Sequence, residues 1–133
     1  MIRLDFSLQQ GTFLLEINQQ LASGITALFG PSGAGKTTIL DAIAGLRMPS
    51  RGRIAIGERV LFDSSEGTNL PPHRRHVGYV PQDVALFPHM NVRRNVVFGR
   101  REGQKPLLET VVKMLEVGDL LDRRVPDLSG GER

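Results

Sequence analysis

The chain has 133 residues, which is within the usual range for one domain. It contains no cysteine, which excludes disulfides and thiolate metal sites, and no apolar run approaches the roughly 20 residues that cross a bilayer. The net charge is +3, but acidic residues lie among the arginines and no aromatic stacking series accompanies them. We therefore expect no nucleic-acid partner.

The first part of the chain has the pattern of short β-strands. Six segments alternate between apolar and polar residues or are continuously apolar, and they are residues 2–8, 12–17, 25–29, 53–56, 59–62 and 77–80. Residues 25–29 predict a buried strand, and Gly57-Glu58 predicts the turn of a hairpin. A helix is expected from about residue 36 to residue 44, ended by Gly45.

After Pro81 the pattern becomes helical. Asn91 predicts the N-cap of a short helix that reaches about residue 98. Residues 106–117 predict a second helix with an apolar stripe, ended by Gly118, and the stripe consists of Leu107, Leu108, Val111, Val112 and Leu115. The chain thus divides into a β-rich part, 1–81, and a helical part, 82–133.

A phosphate-binding motif lies between the predicted strand 25–29 and the predicted helix. The motif G-x-x-x-x-G-K-[ST] is matched by Gly30, Pro31, Ser32, Gly33, Ala34, Gly35, Lys36 and Thr37. Glycines let backbone N–H groups approach a phosphate, and the amides from about Gly33 to Thr38 are expected to form an anion-binding nest at the helix start. Lys36 is expected to bind the β- and γ-phosphates, and the Thr37 hydroxyl to ligate Mg²⁺. The less favoured alternative is a glycine-rich turn without a ligand.

Two further motifs follow, Val80-Pro81-Gln82-Asp83 and Leu128-Ser129-Gly130-Gly131-Glu132. Their order and spacing after the phosphate loop resemble the ATP-binding subunits of ABC transporters, and the resemblance covers essentially the whole chain. The stretch Gly24–Gly30 is most similar to the ATPases of molybdate importers. The resemblance implies an α/β fold, in which a P-loop NTPase core carries a small antiparallel β part and the start of a helical subdomain.

The resemblance also implies roles for individual residues. Gln82 would reach Mg²⁺ and the attacking water, which makes Lys36 and Gln82 the expected catalytic residues of a site for ATP and Mg²⁺. Contacts to the γ-phosphate of an ATP held by a second, head-to-tail subunit would come from Ser129, Gly130 and Gly131. Adenine would stack on an aromatic ring near the first strands, and Phe6 and Phe13 are both candidates.

The function implied by the resemblance is that of an ATPase subunit that energises an importer for molybdate or a related oxyanion. Its partner would be an integral membrane permease, docked on residues 82–98, and its location the cytoplasmic face of the membrane. In such subunits the motif matched by residues 128–132 is called the signature, and a strand ending in Asp and Glu and a switch histidine follow it. We expect both beyond residue 133, so that these residues bind MgATP, lack the second half of the sheet and do not hydrolyse ATP alone.

Two other functions remain open. One is a non-catalytic fragment that binds a nucleotide or a partner. The other, less favoured, is an ATPase of the DNA-repair type. Such proteins insert long coiled coils between the phosphate loop and the signature, and this sequence has no sustained heptads there.

Overall fold

The computed structural model describes residues 1–82, 86–99 and 105–132, with only the backbone of residues 105–108. The chain divides into two compact units, Met1–Tyr79 and Val80–Arg133. None of the helices in the described residues has the length and apolar content that a bilayer crossing requires.

The first unit is built on a five-stranded antiparallel sheet. Its strands are β1 (Ile2–Gln10), β2 (Phe13–Leu21), β3 (Arg51–Ile56), β4 (Arg59–Asp63) and β5 (Thr68–Asn69). Their order across the sheet is β2-β1-β3-β4-β5. The predicted hairpin with its turn at Gly57-Glu58 is confirmed, and the strands predicted at 2–8 and 12–17 also pair with each other. The observed strands are longer than expected, because antiparallel pairing continues past the predicted ends.

One face of this sheet packs against helix α1 (Lys36–Ala44). Leu4, Phe6 and Leu8 alternate along β1, so their side chains lie on the same face. They share a buried cluster with Ile39 and Ala42 of α1. This packing fixes the helix against the sheet and so positions the loop that leads into it. The predicted bounds of α1 are confirmed, and Gly45 ends it in a left-handed conformation with φ 84°.

The strands predicted at 25–29 and 77–80 are wrong, because both segments are irregular in the structure. Ile25 and Phe29 are fully exposed, and Val80 is 93% exposed. A strand requires hydrogen bonds from a neighbouring strand, and among the described residues none pairs with either segment. An apolar run alone therefore did not determine strand formation here.

Helices form the second unit. They are the short helix α3 (Val92–Val96) and the longer α4 (Lys105–Met114), while α2 (Pro72–Arg75) belongs to the first unit. The predicted cap of α3 is confirmed, since Oδ1 of Asn91 accepts a 2.9 Å hydrogen bond from the backbone N–H of Arg94.

Helix α4 ends earlier than predicted. Glu116 adopts the left-handed conformation with φ 54°, and Gly118 begins a 3₁₀ turn instead of ending the helix. Leu115, expected on the apolar stripe, is 62% exposed, whereas Val111 and Val112 are half-buried. The side chains of Leu107 and Leu108 lie outside the described residues.

Candidate functional site

The loop before α1 has the backbone geometry that its glycines allow. Gly33 and Gly35 have φ values of 82° and 87°, in the left-handed region that favours glycine. Gly35 is also the N-cap residue of α1. A Cβ at Gly35 would lie 3.0 Å from Cδ1 of Leu15 and 3.4 Å from Cζ of Phe13. The conformation therefore favours glycine at this position, and any Cβ would also press on these two side chains.

The N-terminus of α1 has no side-chain cap, and no acidic residue in its first turn offsets the positive end of its dipole. The first N–H groups of a helix have no acceptor within the helix, and they carry the positive end of its dipole. Thr37, in that turn, is exposed, and Thr38 is half-buried. An anion can therefore approach these N–H groups and the Thr37 hydroxyl together.

The Lys36 side chain folds back across this loop. Its Nζ donates hydrogen bonds to the carbonyl oxygens of Gly30, at 2.9 Å, and Pro31, at 2.7 Å. Neither acceptor carries a full charge, and none of the ion pairs in the described residues involves Lys36. The ammonium group thus lies at the loop with its charge available to an anion.

The structure distinguishes the two aromatic candidates. Phe6 is 4% exposed and belongs to the buried cluster between β1 and α1, so its ring is not available to a ligand. Phe13, at the start of β2, is 40% exposed, and its ring lies beside Gly35. Only Phe13 of these two presents an aromatic surface next to the phosphate loop.

The remaining predicted site residues belong to the second unit. Gln82 is exposed in an irregular segment. Ser129, Gly130 and Gly131 are exposed in a turn at the end of the described chain. The structure therefore brings together the loop, Lys36, Thr37 and Phe13 within one unit, and it places the Gln82 and signature motifs in the other.

Glu132 stabilises the turn that contains Ser129, Gly130 and Gly131 by hydrogen bonds to Ser129. Glu132 was not assigned a role from the sequence. Its Oε2 accepts a 2.8 Å hydrogen bond from the Ser129 N–H, and its own N–H lies 3.2 Å from the Ser129 carbonyl oxygen. The hydrogen bonds from the side chain and backbone of Ser129 lower the pKa of Glu132, and Arg123 adds an ion pair at 3.4 Å. The Ser-x-x-Glu spacing, typical of a capping box, is the sequence signal that indicates this contact.

The family of this chain is shown by its similarity to known proteins. The sequence model described as "ABC transporter" matches residues 14–133. The chain belongs to the ABC transporter family. The fold agrees: the ATP-binding cassette MJ0796, in a dimeric post-hydrolysis structure bound to ADP and Pi, matches with a TM-score of 0.72 over 99% of this chain and 65% of that one, at 24% identity. The expected α/β P-loop ATPase fold is confirmed.

Curated relatives within this ABC family are importer subunits by name. The molybdenum import ATP-binding protein ModC of Brucella abortus is 50% identical over 94% of this chain. That of Salmonella choleraesuis is 48% identical over the whole chain, and that of Paramagnetospirillum magneticum 44%. The chain spans 36% to 38% of the length of these relatives. The expected resemblance to molybdate importer ATPases is thus confirmed.

Proposed function

We propose that this chain is the nucleotide-binding part of an ABC importer ATPase. In this assignment residues 1–133 are a partial ATPase domain, with a β-rich core in 1–81 and a helical part in 82–133. The observation that carries the proposal is the uncapped start of α1, with the Lys36 ammonium folded over the loop in front of it. This arrangement suits a multiply charged phosphate group.

Each part of the site has a proposed role toward MgATP. Backbone N–H groups from Gly33 to Thr38 bind phosphate oxygens, and Lys36 releases its two carbonyl acceptors to bind the β- and γ-phosphates. The Thr37 hydroxyl ligates Mg²⁺, which arrives with the nucleotide. Phe13 stacks on the adenine. The described residues contain no cluster of three or more His, Cys, Asp or Glu side chains that would hold a metal ion by itself.

The remaining motifs serve the complete protein. Gln82 contacts Mg²⁺ and the water that attacks the γ-phosphate, while Ser129, Gly130 and Gly131 contact the ATP of a second, head-to-tail subunit. Hydrolysis of ATP would then energise uptake of molybdate or a related oxyanion. The cargo is proposed from the curated relatives, which are named for molybdenum import, because an ATPase subunit does not itself touch the transported solute.

The proposed partner is a membrane permease that docks on residues 82–98, at the cytoplasmic face of the membrane. Within the described part of this segment, Phe87, Val96 and Phe98 are exposed beside Arg93 and Arg94. The ring centroids of Phe87 and Phe98 lie 4.3 Å apart. This gives an apolar surface with a basic border, which suits the amphipathic segment of a partner.

Titration calorimetry of the purified chain with MgATP tests the nucleotide site. We expect binding by the unmodified chain and no detectable binding by Lys36→Ala, because the substitution removes a full charge from the anion site. Lys113→Ala is the matched control, since it removes the same charge from an exposed position on α4, and it should bind like the unmodified chain. Equal affinity in Lys36→Ala and Lys113→Ala would refute the assignment.

A further inference from the structure

Arg75, the last residue of α2, is a buried cation. It is 2% exposed, and each of its three guanidinium nitrogens donates to a neutral acceptor. Nη1 donates to the carbonyl oxygens of Ala42, at 2.7 Å, and Ile43, at 3.0 Å. Nε donates to the carbonyl oxygen of Leu70 at 2.6 Å, and Nη2 to Oδ1 of Asn69 at 2.9 Å. None of the ion pairs in the described residues includes Arg75.

Two of these acceptors belong to the last turn of α1. Carbonyl groups in the last turn receive no N–H donor from within the helix, and they carry the negative end of its dipole. The sequence of α1 places no basic residue in this turn. The Ala42 carbonyl oxygen also accepts a 3.3 Å hydrogen bond from the Gly45 N–H. Arg75 therefore supplies, from a distant part of the chain, a second donor to Ala42, a donor to Ile43 and the positive charge that the end of α1 lacks.

Neighbouring residues are adapted to this contact. A Cβ at Gly45 would lie 2.6 Å from Nε of Arg75, so the glycine that ends α1 also leaves room for the guanidinium. Arg59, on β4, donates hydrogen bonds to the carbonyl oxygens of Arg74 and Arg75, which fixes α2 to the sheet. Burying a charge is costly unless its hydrogen bonds are satisfied, and here each guanidinium nitrogen has an acceptor.

We propose that Arg75 is a positioning residue for the nucleotide site, which sets the direction of α1 and thereby the position of the phosphate loop at the opposite end. The inference rests on the proposed function. A helix of nine residues is about 13 Å long, so a tilt of about 5° at one end displaces the other by about 1 Å. Displacements of that size weaken the alignment of groups that must meet a ligand together.

Calorimetry with magnesium tripolyphosphate tests this role, because this probe contacts the phosphate site and offers nothing for Phe13 to stack on. We expect Arg75→Lys and Arg75→Gln to bind about tenfold more weakly than the unmodified chain. Lysine keeps the charge but cannot reach the same set of acceptors. A loss of tripolyphosphate affinity in both variants would therefore show that the hydrogen-bond geometry of Arg75, and not its charge alone, is required. Arg74→Gln is the matched control, since Arg74 is adjacent and exposed, and its affinity should change less than about twofold.

A second control separates positioning from a general loss of stability. Asp63→Asn perturbs β4 through contacts with Arg53, Ser65 and Glu66, away from α1. At a temperature where circular dichroism shows all variants folded, it should keep the affinity for tripolyphosphate. Amide NMR shifts of Gly33 and Gly35 should change in Arg75→Lys and not in Asp63→Asn, without any ligand.

The outcomes separate the two proposals. No binding of tripolyphosphate by the unmodified chain would overturn the proposed function. If Lys36→Ala abolishes tripolyphosphate binding but Arg75→Lys leaves it unchanged, only the positioning role of Arg75 is overturned. An equal loss of affinity in Asp63→Asn and Arg75→Lys would also overturn it. If Arg75→Gln does not fold, Arg75→Lys and its loop amide shifts decide.

Discussion

The Tyr79 hydroxyl donates a 2.6 Å hydrogen bond to Oδ1 of Asp41, on helix α1. The other oxygen of Asp41 accepts a 3.0 Å hydrogen bond from Nε of Arg47, and Nη1 of Arg47 lies 2.6 Å from Oε1 of Gln10. One carboxylate therefore connects α1 with Tyr79, which ends the first unit, and, through Arg47, with Gln10 at the end of β1.

This contact predicts an abnormal tyrosine titration. The hydrogen bond to Asp41, with burial and the Asp41 charge, raises the pKa of Tyr79 above the ordinary value of 10.0, whereas Arg47 lowers it. Tyr79 is the only tyrosine and the chain has no tryptophan, so ultraviolet absorption of the phenolate reports this residue alone. Asp41→Asn should lower the measured pKa, and Arg47→Gln should raise it further. Shifts of the same sign in both variants would contradict the network.

The stability linked to Tyr79 has a defined pH dependence. Because the folded-state pKa is raised, the neutral phenol stabilises the fold below pH 10.0, and this contribution is lost as the pH rises through the folded-state pKa. Tyr79→Phe should therefore lower the melting temperature at neutral pH. The difference from the unmodified chain should shrink in alkaline solution, and a constant difference would count against the hydrogen bond as its cause.

Phe13 should contribute to the binding of ATP and not to that of tripolyphosphate. Stacking of a base on an aromatic ring contributes about 1–3 kcal/mol, so Phe13→Ala should weaken MgATP binding by about 5-fold to 150-fold. Tripolyphosphate affinity should stay within about twofold, and Phe13→Tyr, which keeps the ring, should restore ATP binding. Calorimetry with both ligands checks this. An equal loss for both ligands would mean that Phe13 acts by packing against Gly35.

The sequence predicted the parts of the fold and site that depend on local patterns. Alternation along β1 and β2 and the glycine after α1 act over a few residues, and the structure confirms them. The choice between Phe6 and Phe13 was not predictable, because it depends on which face of the sheet α1 covers. The error at 25–29 has a similar cause, since an apolar run forms a strand only when another strand pairs with it.

Polar contacts between distant parts of the chain could not be predicted from the sequence either. Arg75 lies in the basic run 73–76, and arginine side chains are mostly exposed in proteins, yet it is among the most buried side chains. Three of its four acceptors are backbone carbonyls, which every residue has, so no side-chain pattern marks them. The contact of Asp41 with Tyr79 likewise joins segments that are far apart in the chain.

Asp63 should make the first unit sensitive to acid. Its carboxylate accepts hydrogen bonds from the hydroxyl, at 2.7 Å, and the N–H of Ser65, at 2.9 Å. The Ser65 hydroxyl is the main cause that lowers the pKa of Asp63 from 3.8. A lowered pKa stabilises the fold above pH 3.8 and loses this effect as the pH falls through the folded-state value. Ser65→Ala should therefore lower the melting temperature at neutral pH, with a difference that vanishes in acid. A difference that grows in acid would contradict this.

Gly52 and Gly57 provide a matched pair for testing the close contact between β1 and β3. Both have positive φ values, 104° and 57°. A Cβ at Gly52 would lie 2.6 Å from Cα of Phe6 and would also collide with the Asp5 carbonyl oxygen, whereas nothing lies within 4 Å of one at Gly57. Because backbone atoms of a paired strand cannot move aside, Gly52→Ala should cost more than about 3 kcal/mol of unfolding free energy or prevent folding. Gly57→Ala should cost only about 1 kcal/mol, from the left-handed conformation alone. Urea unfolding of both variants measures the difference, and equal costs would show that the strands do not approach as closely as the register of Phe6 with Gly52 requires.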